Sequence, residues 1–438
     1  MNMAFVSDCS CECTKSELDL FAVPDTQTSV ESSTYAEYHP VTSLVDGSTI
    51  EFEMSGTGED YLDLNHAYLH VKAKVTRNDG SNLPADDPVA PVNYFLHSLF
   101  SQVDIYLNGT QITSSTNTYP YRAVMEALLS YGEDAKKTQL ASALFAKDEA
   151  GKMDSRAVDA NANKGFLTRR RKARESRTIE MMGRIHTDIF FQERYMLNEV
   201  GVKVRLTRSK DTFCLIGDDQ RTVKILSAKM FVRKARLSPS VMLGHAKALE
   251  ESNAKYPIKR VVCKSFTIPA GVRDVNQEKL CSGQLPTRLV FGLVDNEAFN
   301  GSIERNPFNF AHFNVSEVGV YVDGQQGQLI KPMKIDFESD QYIESYMNLF
   351  AGMNKINRDE GNCIEPEDFA GGYALYAYDL TPDLCEGDHF NLMKQGSIRL
   401  ALRFSTALAR AVTVVAYTEF ENVIEIDRSR NVIYDFAA

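Results

Sequence analysis

Three short stretches hold residue types that could do chemistry. Cys9, Cys11 and Cys13 alternate near the N-terminus, and such thiols ligate soft metals or exchange disulfides. They are crowded for a tetrahedral set and no histidine follows close by, so they read as part of a mobile tail. Glu386-Gly-Asp388-His389 sets carboxylates beside an imidazole, the raw material of general acid–base work. It reads more simply as a turn ahead of a strand beginning at Phe390. Arg169-Arg170-Arg171-Lys172-Ala173-Arg174 concentrates positive charge, as a nuclear import signal or a contact for nucleic acid or an acidic partner would. A solvated loop is the simpler reading, with import or an assembly contact next. No His-Glu-x-x-His, no Gly-x-x-x-x-Gly-Lys-Ser/Thr loop and no Gly-x-Ser-x-Gly elbow occurs. We therefore assign no catalytic residue, no metal ligand and no cofactor.

The elements that carry these stretches are mostly strands. Leu69, Val71, Ala73 and Val75 alternate with His70, Lys72 and Lys74, the period of a half-buried strand within Tyr61–Val75. Another strand is expected over Ser48–Met54. A hairpin follows at Val103–Leu107, with Asn108-Gly109 as its turn, since Asn-Gly tolerates the positive φ angles of a tight type I′ turn. A helix comes next. Pro120 sits in its opening turn, Tyr121, Val124, Met125 and Leu128 form one apolar stripe, and Gly132 supplies the stop.

The chain then repeats itself. Residues 102–112, QVDIYLNGTQI, resemble residues 317–327, EVGVYVDGQQG. Val103 matches Val318, Ile105 matches Val320, Tyr106 matches Tyr321, and the turn Asn108-Gly109 matches Asp323-Gly324. Phe95 and His97 match Phe310 and His312 at the same offset. The second hairpin also leads to a helix, capped by Ser339 or Asp340, striped by Tyr342, Tyr346, Leu349 and Phe350, and ended by Gly352. Further on, Val202, Val204 and Leu206 match Ile398, Leu400 and Leu402, and Val223, Ile225, Leu226 and Phe231 match Val412, Val414, Val415 and Phe420. Matched blocks in one order point to a duplicated domain.

Many strands, few helices and Gly/Pro/Asn turns indicate antiparallel sandwiches, and hairpins with long connections favour a jelly roll. The expected class is mainly β: two tandem jelly-roll sandwiches with a short helix in each half. The expected organisation is an N-terminal arm over 1–30, a first jelly roll over 31–238, a linker with a helix over 239–257, and a second jelly roll over 258–438. The first half carries a polar insertion, 133–177, which reads as a long loop.

Bulk composition narrows the partners. The 438 residues carry 48 basic and 59 acidic side chains, a net charge of −11, which argues against direct nucleic-acid binding by the whole surface. No apolar run approaches the ~20 residues of a membrane span, and the N-terminus lacks the pattern of a secretory signal. The eight cysteines are scattered apart from the first three, which fits a reducing compartment better than a disulfide framework. The sequons at Asn108, Asn300 and Asn314 then read as turn and strand residues.

Several phrases resemble a known family. Asn93-Tyr-Phe-Leu-His-Ser-Leu-Phe-Ser-Gln-Val-Asp104, Thr118-Tyr-Pro-Tyr-Arg122, Phe299-Asn-Gly-Ser302, Asp379-Leu-Thr-Pro-Asp383 and Ile424-Glu-Ile-Asp-Arg-Ser-Arg-Asn431 look like capsid-type proteins of Polinton/Maverick elements and the related adintoviruses. The likeness runs from about Lys15 to Phe436. It implies a double jelly-roll major capsid protein whose homotrimers form pseudo-hexagonal capsomers and tile an icosahedral shell around DNA, with minor capsid or penton proteins. It further implies a place in the virion, with assembly in the host nucleus or cytoplasm. The insertion would lie at a capsomer end or a subunit contact, and the N-terminal tail would be an arm that orders on assembly. The competing classes are a β-sandwich module that binds a glycan or receptor, and a cupin-type metalloenzyme. The cupin would need inward-facing His and carboxylate ligands, which Val71–Val75 and Val202–Leu206 do not offer.

Overall fold

The computed structural model describes residues 14–44, 49–55, 58–159, 162–217, 220–322, 332–384 and 389–434. Cys9, Cys11, Cys13, Asp323, Gly324, Glu386 and Asp388 lie outside the described residues. In the first half the principal strands are β1 (Val30–Tyr38), β2 (Thr49–Met54), β3 (Asp60–Thr76), β4 (Phe100–Leu107), β5 (Thr110–Gln111), β6 (Ile179–Gly183), β7 (Val202–Arg208) and β8 (Thr222–Leu237). In the second half they are β9 (Ala254–Ile268), β10 (Asp274–Gln284), β11 (Arg288–Asp295), β12 (Val315–Val322), β13 (Met333–Lys334), β14 (Leu375–Asp379), β15 (Gln395–Phe404) and β16 (Val412–Ile426).

These strands form two pairs of antiparallel sheets. The first half has β1-β8-β3-β6 and β2-β7-β4-β5, and the second has β9-β16-β11-β14 and β10-β15-β12-β13. Adding eight to each strand number of the first half gives the second. Each half is a jelly roll, and the tandem expected from the repeats is present. Alternation drives it: in β2 Ile50, Phe52 and Met54 are buried, and in β7 Val202, Val204 and Leu206 are buried, with polar side chains between them.

The repeat holds at the level of register. Val103 pairs with Leu206 and Ile105 with Val204, while Val318 pairs with Leu402 and Val320 with Leu400. The residues matched by sequence occupy the same cross-strand positions. Each ladder also slips at one point, Ser101 in β4 and Ser316 in β12, and each serine hydroxyl donates to the partner strand, to Thr207 O at 3.4 Å and Arg403 O at 3.2 Å. A bulge bends and twists its strand, and a serine there satisfies a carbonyl that the irregular ladder leaves over. The expected turn is also present, with Asn108 at φ 46° and Gly109 at φ 83°.

Several local expectations need correction. Leu226 is not the counterpart of core Val415: it lies at a register shift in β8 and is exposed, because the extra residue turns it outward. The first helix, α1 (Tyr119–Ser130), ends before Gly132, whose φ of −77° is not the left-handed conformation of a glycine stop. The strand expected from Phe390 begins at Gln395. The insertion 133–177 is not a bare loop, for it contains α2 (Lys164–Ala173), capped by the Asn163 side chain on the amides of Gly165 and Phe166. The linker helix is α3 (Pro239–Glu251). The last long helix, α4 (Ile343–Gly352), has no side-chain cap from Ser339 or Asp340. Its Gly352 is required for packing, because a Cβ there would lie 2.4 Å from the Ala377 backbone. Among the described residues no helix is long and apolar enough to cross a membrane.

Candidate functional site

The most elaborate polar structure in the molecule is the junction between the two sandwiches. Helix α1 turns its Tyr121, Arg122 and Glu126 toward the second half. Tyr121 stands among Phe299, Phe308 and Phe310, with its ring centroid 5.3 Å from that of Phe299. Offset and edge contacts of this kind add to the area an aromatic ring buries. Beside it, Arg122 pairs with Glu126 at 2.9 Å and with Asp188 at 2.7 Å, all three nearly buried. Asp188 also accepts the backbone amide of Val261 in β9 at 3.1 Å, and Thr118 donates to Cys263 O at 3.0 Å. On the facing strand β16, the Tyr417 hydroxyl lies 2.9 Å from Glu419, whose carboxylate holds Arg288 at 2.8 Å.

Charge balance explains how these ions tolerate burial. Burial opposes the Glu126 charge, but Arg122 and His186 outweigh it and bring the carboxyl down to about 2. Burial likewise works against Arg122, and Asp188 and Glu126 hold it protonated. Asp188 is pushed up by burial, which Arg122 only partly offsets. Behind the ions lies an aromatic–histidine cluster. Nδ1 of His186 is 2.6 Å from Glu126, its Nε2 is 2.9 Å from the Tyr94 hydroxyl, and His97 Nδ1 is 2.9 Å from the Tyr119 hydroxyl. Burial holds the His97 imidazole well below its ordinary value, with His186 adding to the shift. No metal-holding cluster of three or more His, Cys, Asp or Glu occurs among the described residues.

Two further devices cross the junction. The insertion lies as a strap on the second half: Lys136 Nζ donates to Leu128 O at 2.7 Å and Asn362 O at 2.5 Å, Lys147 pairs with Asp368, and the Gly151 amide donates to Gly371 O at 2.7 Å. Asp154 accepts the Asn306 amide at 2.7 Å, and Tyr373 donates to Asp148 O at 2.7 Å. The C-terminal segment returns to the first half as a latch. Arg430 donates to Asn198 O at 2.9 Å, Asn108 Nδ2 donates to Arg430 O at 2.9 Å, and Tyr434 donates to Gln111 O at 2.6 Å. The hairpin turn singled out in the sequence is therefore the seat of a latch. A cavity of about 610 Å³ lies beside α3 and is lined by Tyr61, Tyr195, His245, Leu249 and Tyr256.

The basic run does not act as one patch. Arg169 is fully buried, with its guanidinium on Asp148 at 2.6 Å and Pro91 O at 2.8 Å, and Arg170 donates to Asp87 O at 2.8 Å. Arg171, Lys172 and Arg174 stay exposed. The solvated-loop reading fails for Arg169 because α2 buries the stripe Phe166, Arg169, Ala173 against the body, and Arg170 beside it is half-buried. That spacing, behind an Asn cap, was the available signal. His389 pairs with Asp383 at 2.8 Å on the surface. Arg122 and Glu126 escaped notice because a charged i,i+4 pair is ordinarily a solvent-facing feature.

Comparison with known proteins follows the fold. No protein-family model matches the chain. It is similar in sequence to an uncharacterized protein of Caenorhabditis elegans, 26% identical over 429 residues that cover 94% of this chain and 99% of that protein. In structure it is similar to the cryo-EM structure of the Sputnik virophage, at 11% identity and TM-score 0.64, covering 100% of this chain and 96% of that one. It is likewise similar to the mavirus major capsid protein, at 11% identity and TM-score 0.54 over 99% and 96% of the two chains. The Faustovirus major capsid protein gives 10% identity and TM-score 0.54 over 93% and 92%. At such identities the likeness establishes the fold, and the fold is a double jelly roll.

Proposed function

We propose that the chain is a structural major capsid protein. Its copies associate as homotrimers, each presenting six similar sandwiches, and the trimers tile an icosahedral shell around a DNA genome. The observation that carries this reading is the repeat of one eight-strand order in both halves of a single chain, locked by a buried junction. A rigid pair of like tiles suits a lattice, because symmetric assemblies need self-complementary or repeating surfaces. The likeness in fold to viral capsid structures over nearly the whole chain supports it.

The motifs quoted above favour the Polinton/Maverick and adintovirus branch. The arm is taken as 1–30, the jelly rolls as 31–238 and 258–438, and the linker as 239–257. Asn108-Gly109 and Asp323-Gly324 are equivalent corners of the two tiles. Arg171, Lys172 and Arg174 form the part of the basic run free to act as an import signal or assembly contact. No catalysis or cofactor enters this role. The place of action is the virion, assembled in the host nucleus or cytoplasm with minor capsid or penton proteins. Sedimentation of purified protein over a range of salt and pH tests the reading: trimers or larger assemblies are expected. Persistent monomers that bind a glycan array would instead select the binding-module class.

A further inference from the structure

The junction inside one chain joins unlike surfaces, the α1 side of the first sandwich and the outer face of the β9-β16-β11-β14 sheet. Because the topology is repeated, every chain keeps one unused counterpart of each. These are the α4 side of the second sandwich and the outer face of the β1-β8-β3-β6 sheet. Contacts between unlike surfaces repeat head to tail until they close a ring or run on as a filament.

The two unused surfaces match chemically. Tyr121 and Leu128 of α1 correspond to Tyr342 and Leu349 of α4, each 221 positions later. The same shift takes Arg122 to Ile343 and Glu126 to Met347. Ile343 is 52% exposed and Met347 42% exposed, so apolar side chains stand where ions stand at the filled junction. The sheets differ in the same sense. The covered face carries the Arg288–Glu419 pair and Tyr417, whose hydroxyl lies 3.4 Å from Glu126 of α1. On the open face Tyr35, 54% exposed, lies 6.4 Å from Tyr68 between ring centroids, and Phe231 lies 6.1 Å from His70. Phe231 is the cross-strand partner of Tyr68.

We propose that Ile343 and Met347 of one copy dock on the aromatic outer face of the β1-β8-β3-β6 sheet of a second copy, around Tyr35, Tyr68 and Phe231. The contact rests on the capsid reading and supplies its copy-to-copy interface. The two chemistries also keep the contacts apart. An apolar helix on the β9-β16 face would bury the Arg288–Glu419 ion pair against side chains that offer it no hydrogen bond.

Sedimentation equilibrium of the full chain tests this through charge insertion. Met347→Glu and Phe231→Lys are each expected to weaken association about 30-fold or more, as for the loss of an apolar anchor. Far-UV circular dichroism and the melting curve should stay as in the wild type. The chain carrying both substitutions sets Glu against Lys across the interface and is expected to recover most of the lost association. Should Phe231→Lys fail to fold, Tyr35→Lys at the more exposed ring replaces it. Single variants that associate like the wild type overturn the interface and leave the capsid reading standing. So does a double variant as weak as the two single losses multiplied. A wild-type chain that remains a monomer throughout overturns both.

Discussion

The two jelly rolls share one strand order, yet their equivalent sheets live in different surroundings. In β9 the residues Arg260–Cys263 are buried in sequence, and β16 is buried without a break from Val412 to Thr418. In β1 the residues Glu31–Tyr35 are exposed in sequence, and β8 alternates between buried and wet positions. A sandwich supplies the cover for one face of each sheet, and whatever docks supplies the other. Continuous burial in β16 thus records the α1 side of the first half, and the alternation in β8 records an open face. The ions have moved accordingly. The closed face carries the Arg288–Glu419 pair beside Tyr417, whose hydroxyl lies 3.4 Å from Glu126, whereas the open face carries rings and salt bridges in water.

The sharpest break in that contrast comes from Arg122→Ala, which leaves buried Asp188 without its cation and Glu126 with His186 alone. A loss of about 3–5 kcal/mol in urea unfolding is expected. Arg236→Ala, which removes the exposed pair with Glu59 on the first sheet, is expected to leave the midpoint almost unmoved, since solvent screens such pairs. Equal losses from the two variants would erase the distinction between the faces. Next in size is Gly352→Ala, where the new methyl meets the Ala377 backbone. About 1–3 kcal/mol is expected from overpacking, against about 0.5 kcal/mol or less for Gly132→Ala, whose Cβ would meet nothing closer than 3.8 Å.

Acid acts on both halves in the same sense but unequally, since burial lowers His312 and holds its counterpart His97 well below the ordinary value. The folded chain keeps His97 neutral, its pKa held below the ordinary 6.5 by burial and by His186, while the unfolded chain takes up the proton near that pH. The unfolded state therefore binds more protons below pH 6.5, and stability falls as pH drops, by at most about 1.4 kcal/mol per pH unit for one group. Glu126, brought down to about 2 from 4.5, adds loss of the same sign at lower pH. Thermal midpoints measured from pH 7.5 downward should fall, and His97→Gln should flatten the part of the profile just below 6.5. The shared bulges should show no difference between the halves. Ser101→Ala and Ser316→Ala are each expected to cost about 1 kcal/mol, and about equally, because the two hydroxyls do the same thing in the two halves.

What could be read before the structure was what repeats locally. Val103, Val204 and Leu206 met their counterparts at the same cross-strand positions because alternation with a period of two fixes both face and register. The Asn108-Gly109 turn was legible for the same reason, as its φ angles are a local demand. The junction was not legible. Arg169 is indistinguishable in composition from Arg171, and only the stripe through Phe166 and Ala173 separates them. The strap bonds of Lys136 and Asp154 join residues more than a hundred positions apart, and nothing in a polar insertion announces its partner. Gly352 was rightly seen at the end of a helix, but its cause lay across space in Ala377.

Electron microscopy of the expressed full-length protein tests the central claim most directly. Trimers of hexagonal outline, alone or closed into shells, are predicted, with six similar lobes that correspond to the two sandwiches of each of three chains. Featureless single-chain particles under every assembly condition would contradict it.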